Sequence, residues 1–234
     1  ALPISMIASF QDHDAGLEHQ EAFPVDVPDP ETLPSAAELI GPNPHPVAQY
    51  WAKARPFDMR HVGSPIYFNV DPQQQVPHQA VWIKALGMLP DDPALHRAAL
   101  AYASDYSILE PIYRAHGIAW SHPGLKSASL DHAMWFHRDP KVDQWMLYVQ
   151  ESPNAIGGRG LSLGRIYSRD GVLLALGYVG LLVAPATVPW LWALLLGLSG
   201  LAFPMAIALI TARTRHPSVT AQLSGFVQPV GYAL

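Results

Sequence analysis

The chain has no cysteine among its 234 residues, which excludes disulfides, a thiolate nucleophile and cysteine zinc sites. Charge is missing over a long stretch as well. No Asp, Glu, Lys or Arg stands between Asp170 and Arg213, and all 19 acidic residues lie at or before Asp170. The formal net charge of −5 is therefore the sum of about −7 on the chain up to Asp170 and the two positive charges of Arg213 and Arg215. No basic stripe is formed, so nucleic acid is not an expected partner. The opening apolar run, residues 2–10, lacks a basic segment ahead of it and does not read as a signal peptide. Both ends look cut, and the expectation is a fragment of a longer protein.

Half of the residues are hydrophobic, enough to bury a full core. Residues 2–10 read as a strand. Residues 11–46 are acidic and dense in proline, which reads as an extended linker with one short helix near residues 35–39. Residues 57–68 and 79–86 read as strands, with Val81, Ile83 and Ala85 alternating against Ala80, Trp82 and Lys84. The clearest helix begins at Asp92, whose carboxylate can accept free N–H groups of the first turn, and Pro93 fits the first helical position. Leu95, Ala99, Tyr102 and Tyr106 then recur at helical spacing, and Pro111 limits its continuation.

Residues 127–160 look like the organising stretch: an aromatic-rich strand, a charged turn, a second strand and a glycine-rich exit, the pattern of a β-hairpin. Alternation puts Leu130, His132, Met134 and Phe136 on one face of the first strand, and Ser129, Asp131, Ala133 and Trp135 on the other. Neither face is purely apolar, so one of them is expected to border a polar site. A further strand over 161–168 ends in the turn Arg169-Asp170-Gly171. The fold class expected is α+β, an antiparallel sheet packed on one central helix. The uncharged residues 171–212 are long enough for two bilayer crossings at about 20 residues each. Trp190 and Trp192 would sit at one interface, with Arg213 and Arg215 at the other.

Asp105 is the only charged residue between Arg97 and Glu110. A carboxylate at the end of an apolar helix must be hydrogen-bonded or solvated, and on residues alone it reads as turned to water. Ser129 reads as a cross-strand hydrogen-bonder. Neither Asp12-His13-Asp14 nor His132 with His137 has the spacing of a familiar zinc site, so no metal is expected. Gly157, Gly158 and Gly160 around Arg159 lie between strands, which favours a turn over a phosphate loop. No nucleophile elbow, a serine on a strand-to-helix turn, is read.

The strings SLDHAMWFHR (129–138), WMLY (145–148), ESP (151–153) and GRG (158–160) closely resemble the acyl-CoA thioesterase II family, enzymes of two fused hotdog domains. The likeness extends back through QAVWIKA (79–85), PDDPALHRAALAYASD (90–105) and MIASFQ with GLEHQ (6–20), and stops near Ala175. It implies that residues 1–10 are the last strand of a truncated first hotdog, 11–46 a linker, and 47–175 the C-terminal hotdog, a sheet wrapped around a helix. It implies acyl-CoA hydrolysis by direct water attack, without a cofactor, with Asp105 and Ser129 catalytic and Arg159 available to a CoA phosphate. The family's third catalytic residue, a Gln on the last strand, falls on Val179, which has no donor or acceptor. The family pattern also implies a cytoplasmic homo-oligomer formed by hotdog pairing.

RTRHPS (213–218) and AQLSGFVQPVGYAL (221–234) resemble a major facilitator transporter of the cyanate and nitroimidazole type. That likeness implies a helical, membrane-associated tail over 176–234, with contact through 176–212. The alternative left open is a non-catalytic, membrane-tethered acyl-CoA-binding module, or a chimeric transporter fragment.

Overall fold

A computed structural model describes residues 6–11, 16–24 and 26–182, the last five by backbone alone. Their elements are α1 (Ala36–Ile40), α2 (Pro46–Ala54), β1 (Phe57–His61), β2 (His78–Ala85), α3 (Pro93–Ser104), α4 (Glu110–Ala115), β3 (Ser129–Phe136), β4 (Met146–Ile156), β5 (Arg159–Ser168) and β6 (Leu173–Leu182). The six strands form one sheet in the order β1-β2-β4-β5-β6-β3. The expected α+β class is therefore observed.

Local chemistry sets most of these boundaries. Ser35 caps α1 through a reciprocal pair with Glu38, the side chain of each accepting from the other's backbone N–H. Asp92 accepts from Ala94 N and Pro93 opens α3, as its sequence predicts. The turn between β4 and β5 is Gly157-Gly158, both at positive φ (60° and 72°), the backbone a tight hairpin requires. Gly160 serves a different purpose: a Cβ there would meet Ile112 Cδ1 at 2.5 Å, so its small size lets α4 lie down on β5.

One face of the sheet carries the main core, where Ile83, Met146, Tyr148 and Ile166 meet Leu100, Ile108 and Ile112 from the helical side. The opposite face is covered by the proline-rich segment, with Phe23, Val27 and Leu33 packed on Trp82, Trp145 and Leu147. The indoles fasten it: Trp82 Nε1 donates to Pro28 O (3.0 Å) and Trp145 Nε1 to Glu31 Oε1 (2.8 Å). The expected linker is thus a strap across the back of the sheet.

The structure corrects the sequence reading at several points. β3 does not form a hairpin with β4; the two are separated by β5 and β6, and β3 is an edge strand paired antiparallel with β6. The strand expected over 57–68 ends at His61, ahead of Gly63, whose φ of +113° turns the chain. α2 lies where no helix was expected, although His45 caps it and Pro46 opens it. The single central helix is two: α3 stops at Ser104, residues 105–109 form a turn, and Pro111 sits in the first turn of α4 rather than ending a helix. Residues 6–10 are exposed and in no strand, so the opening strand is not seen there. Residues 176–182, expected to begin the helical tail, belong to β6. Gly177 suits that place, because a Cβ there would lie 3.2 Å from Ala133 O. Among the described residues no helix is long and apolar enough to cross a membrane; the expected spans beyond 182 and the transporter-like strings lie outside the described residues.

Candidate functional site

The turn after α3 and the edge strand β3 bring the two predicted catalytic residues together. Asp105 is the C-cap of α3, and Ser129 Oγ donates to its Oδ1 at 2.9 Å. Both side chains are exposed. Among the described residues nothing donates to Asp105 Oδ2, which keeps that oxygen available. The residue before, Ser104, is held on three sides. Its Oγ donates to Ala101 O (2.8 Å) and lies 3.1 Å from His132 Nε2, and its carbonyl accepts from Tyr148 OH (3.1 Å). Burial, and then the nearby Asp105 carboxylate, push the Tyr148 phenol well above its ordinary range, so it keeps the proton it donates to Ser104 O.

The face assignment of β3 needs correcting. Simple alternation separates Ser129 from His132. The observed register pairs Ser129 with Leu181 but His132 with Val179, with a shift between Ser129 and Asp131. One extra residue on β3 is a β-bulge, which re-aims the side chains beyond it. Leu181 and Val179 are two apart on β6, so positions 129 and 132 share one face.

A second polar cluster, which sequence reasoning missed, lies inside the core. Glu110 is 1% exposed. Its Oε2 accepts from Gln79 Nε2 and faces His61 Nε2, both at 2.9 Å, and its Oε1 accepts from Trp120 Nε1 at 2.9 Å. Gln79 Nε2 also reaches Gln150 Oε1 (2.8 Å), Gln150 Nε2 donates to Ser107 Oγ (2.7 Å), and Arg114 donates to Gln79 Oε1 (3.1 Å) and Ser64 O (2.7 Å). Burial alone would raise the Glu110 carboxyl, but the attraction of His61 and the hydrogen bonds from His61, Trp120 and Gln79 together hold it below its ordinary value. The available signal was Gln79 and Gln150, polar residues at inward strand positions, together with a Glu inside the apolar run ILEPIY.

Arg159 is exposed at the start of β5, opposite Ile156, and no hydrogen bond or ion pair joins it to Asp105 or Ser129. Residues 160–164 spell Gly-Leu-Ser-Leu-Gly, yet they run along an antiparallel strand. Ser162 is fully buried with its Oγ unpartnered, so the spelling is not a nucleophile elbow. Among the described residues no group of His, Asp and Glu could hold a metal ion, and Asp12-His13-Asp14 lies outside them. A small cleft lined by Trp51, Arg55, Phe57, Asp58, Arg60 and Leu86 includes neither Asp105 nor Ser129.

The family model described as Acyl-CoA thioesterase matches residues 56–184. The chain belongs to the acyl-CoA thioesterase family. A relative named Acyl-CoA thioesterase 2, from Haemophilus influenzae, is 35% identical over 176 residues, covering 72% of this chain and 59% of that protein. The chain thus spans less than two thirds of that curated relative's length. Among solved structures, the acyl-CoA thioesterase II TesB2 of Mycobacterium marinum is 34% identical with a TM-score of 0.56, covering 76% of this chain and 61% of that one. A protein described as having a hot dog fold, from Alicyclobacillus acidocaldarius, is 22% identical with a TM-score of 0.55 over 74% of this chain and 60% of that one. The matched residues 56–184 take in all six strands, Asp105, Ser129 and position 179.

Proposed function

We propose that this chain carries the catalytic half-site of an acyl-CoA thioesterase, hydrolysing a fatty acyl-CoA to the free acid and CoA by direct attack of water. The observation that carries the reading is the 2.9 Å hydrogen bond from Ser129 Oγ to Asp105 Oδ1 inside the family-matched segment. Ser129 fixes one carboxylate oxygen, and the other is left to accept from a water molecule. As the water oxygen bonds to the thioester carbonyl carbon, its proton passes to Asp105. Collapse of the tetrahedral oxyanion breaks the C–S bond, and the departing CoA thiolate takes up the proton. Neither a covalent intermediate nor a metal is required. Arg159, on the exposed β4–β5 hairpin, is assigned to a CoA phosphate, its guanidinium being suited to paired contacts with phosphate oxygens.

In this reading residues 1–10 derive from the last strand of a preceding hotdog, residues 11–46 link it to the second, residues 47–175 form that second hotdog, and copies pair through their sheets. The uncharged residues beyond 182 associate with a membrane, a proposal resting on their composition. A second reading, a non-catalytic acyl-CoA-binding module, is favoured by one fact: position 179 is Val where the family has Gln. Thioester hydrolysis by the purified chain, with medium and long acyl-CoA substrates and CoA release as readout, separates the two. Activity that falls by about 100-fold or more in Asp105→Ala supports the enzyme. Turnover untouched by that change removes the site assignment.

A further inference from the structure

A β-bulge in β3 places His132 on the same face as Ser129, and this matters for the reaction. Position 132 lies directly opposite position 179 in the β3–β6 ladder. Position 179, where this chain has Val and the family resemblance implies Gln, is therefore paired in register with a residue that carries an imidazole. Directly opposed residues in an antiparallel pair are the closest cross-strand neighbours. The imidazole is exposed, and its Nε2 lies 3.1 Å from the Oγ of Ser104, the residue next to Asp105. Ser129 and His132 thus engage two consecutive residues, Asp105 and Ser104, at the end of one helix.

The hydrogen bonding also selects the tautomer. Ser104 has one hydroxyl proton and donates it to Ala101 O at 2.8 Å. Its Oγ can then only accept from His132, so Nε2 carries the proton. In the neutral ring Nδ1 keeps its lone pair. A donor-anchored imidazole with a free acceptor nitrogen can hold a water molecule by accepting one of its hydrogens.

We propose that His132 is a further catalytic residue: it holds the attacking water beside Asp105, taking over on β3 the task for which Val179 on β6 has no polar group. This rests on the thioesterase reading above. The balance of the step is unchanged, because His132 Nδ1 accepts a hydrogen bond from one water hydrogen while Asp105 removes the other as a proton. The two consecutive hydrogen bonds keep both water-binding groups in a fixed relation to the helix end.

The test compares the full chain with His132→Ala, Val179→Gln and the double variant, measuring kcat and KM for acyl-CoA hydrolysis by CoA release. The expected result is a kcat about 100-fold lower in His132→Ala with KM within about threefold, and recovery of most of that loss when Val179→Gln is added. A kcat within twofold of the parent in His132→Ala overturns the inference. So does a loss that Val179→Gln does not restore, which would make His132 a support for Ser104 alone. If His132→Ala does not fold, His132→Phe, which keeps a ring but neither nitrogen, carries the same comparison. An inactive parent chain alongside an active Val179→Gln variant overturns the role of His132 and leaves the thioesterase reading standing. Inactivity of both overturns the two together.

Discussion

Asp105 and Glu110 stand five residues apart, at the two ends of one turn, and are treated in opposite ways by the fold. Glu110 is buried, and donors from β1, β2 and the loop at Trp120 surround its two oxygens. Asp105 is exposed, with one oxygen held by Ser129. A carboxylate whose acceptor sites are filled by protein groups has nothing left to offer a substrate; its work is to hold the turn. A carboxylate fixed at one oxygen and open at the other is positioned without being used up. The contrast therefore assigns stability to Glu110 and leaves Asp105 open to the chemistry proposed for it, although both are acids in the same apolar stretch of sequence.

The largest effect expected from breaking that contrast is on stability at Glu110. Glu110→Ala leaves His61, Gln79 and Trp120 without their shared acceptor and should cost about 3–5 kcal/mol, the range for opening a buried pair. Chemical denaturation of the purified variant reads it directly. Asp105→Ala, by comparison, should leave the unfolding free energy within about 0.5 kcal/mol, as for an exposed side chain, while removing hydrolysis. Equal loss of stability in both variants would erase the distinction between the two acids.

Next in size is Gln150→Leu, which removes the donor to Ser107 and takes the Gln150 acceptor from one of the two N–H groups of the Gln79 amide. About 1–3 kcal/mol of destabilisation is expected, with the urea midpoint as the check. The same cluster sets a pH dependence. The Glu110 carboxyl is held below its ordinary value in the folded chain, so the unfolded chain binds the proton first as pH falls. The stability this provides is present above the unfolded value of about 4.3 and is lost as pH falls through the lower folded value. Between pH 5 and pH 3 the wild-type urea midpoint should therefore drop more than that of Glu110→Gln. Parallel profiles would place the acid sensitivity in other carboxylates.

Much of the fold was readable from local pattern. The Asp92-Pro93 start of α3, the short helix near residue 35, the alternation in β2 and the β4–β5 turn all rest on residues within a few positions of one another, and all are seen. Strand pairing was not readable. β3 and β4 are close in sequence, but sheet order is decided by which faces can be buried together, and the chain between them passes the places of β6 and β5. The pair Asp105 and Ser129 came from the resemblance, not from spacing, and the structure supplies the contact that spacing could not. The bulge that turns His132 onto the face of Ser129 is invisible to a period-two count, because one inserted residue inverts every face assignment beyond it. The Glu110 cluster was missed for a similar reason: its members come from β1, β2, α4, β4 and three connecting segments, and no window of sequence contains them.

The smallest effect, and the one that most sharpens the comparison, is expected at Ser129. Its hydroxyl is a single donor to a solvated carboxylate, so Ser129→Ala should leave the unfolding free energy within about 0.5 kcal/mol. Water can replace the lost hydrogen bond at Asp105 Oδ1, so the charge remains and only its orientation is relaxed. The loss in kcat should then be about tenfold, equivalent to about 1.4 kcal/mol and well short of the effect of Asp105→Ala. Ser129→Thr keeps the donor and adds a methyl that restrains the rotamer, and its kcat should match or exceed that of the parent chain. If Ser129→Ala instead abolished hydrolysis as completely as Asp105→Ala, the hydroxyl would itself belong to the reacting groups, and the division between a carboxylate that acts and a serine that positions it would have to be redrawn.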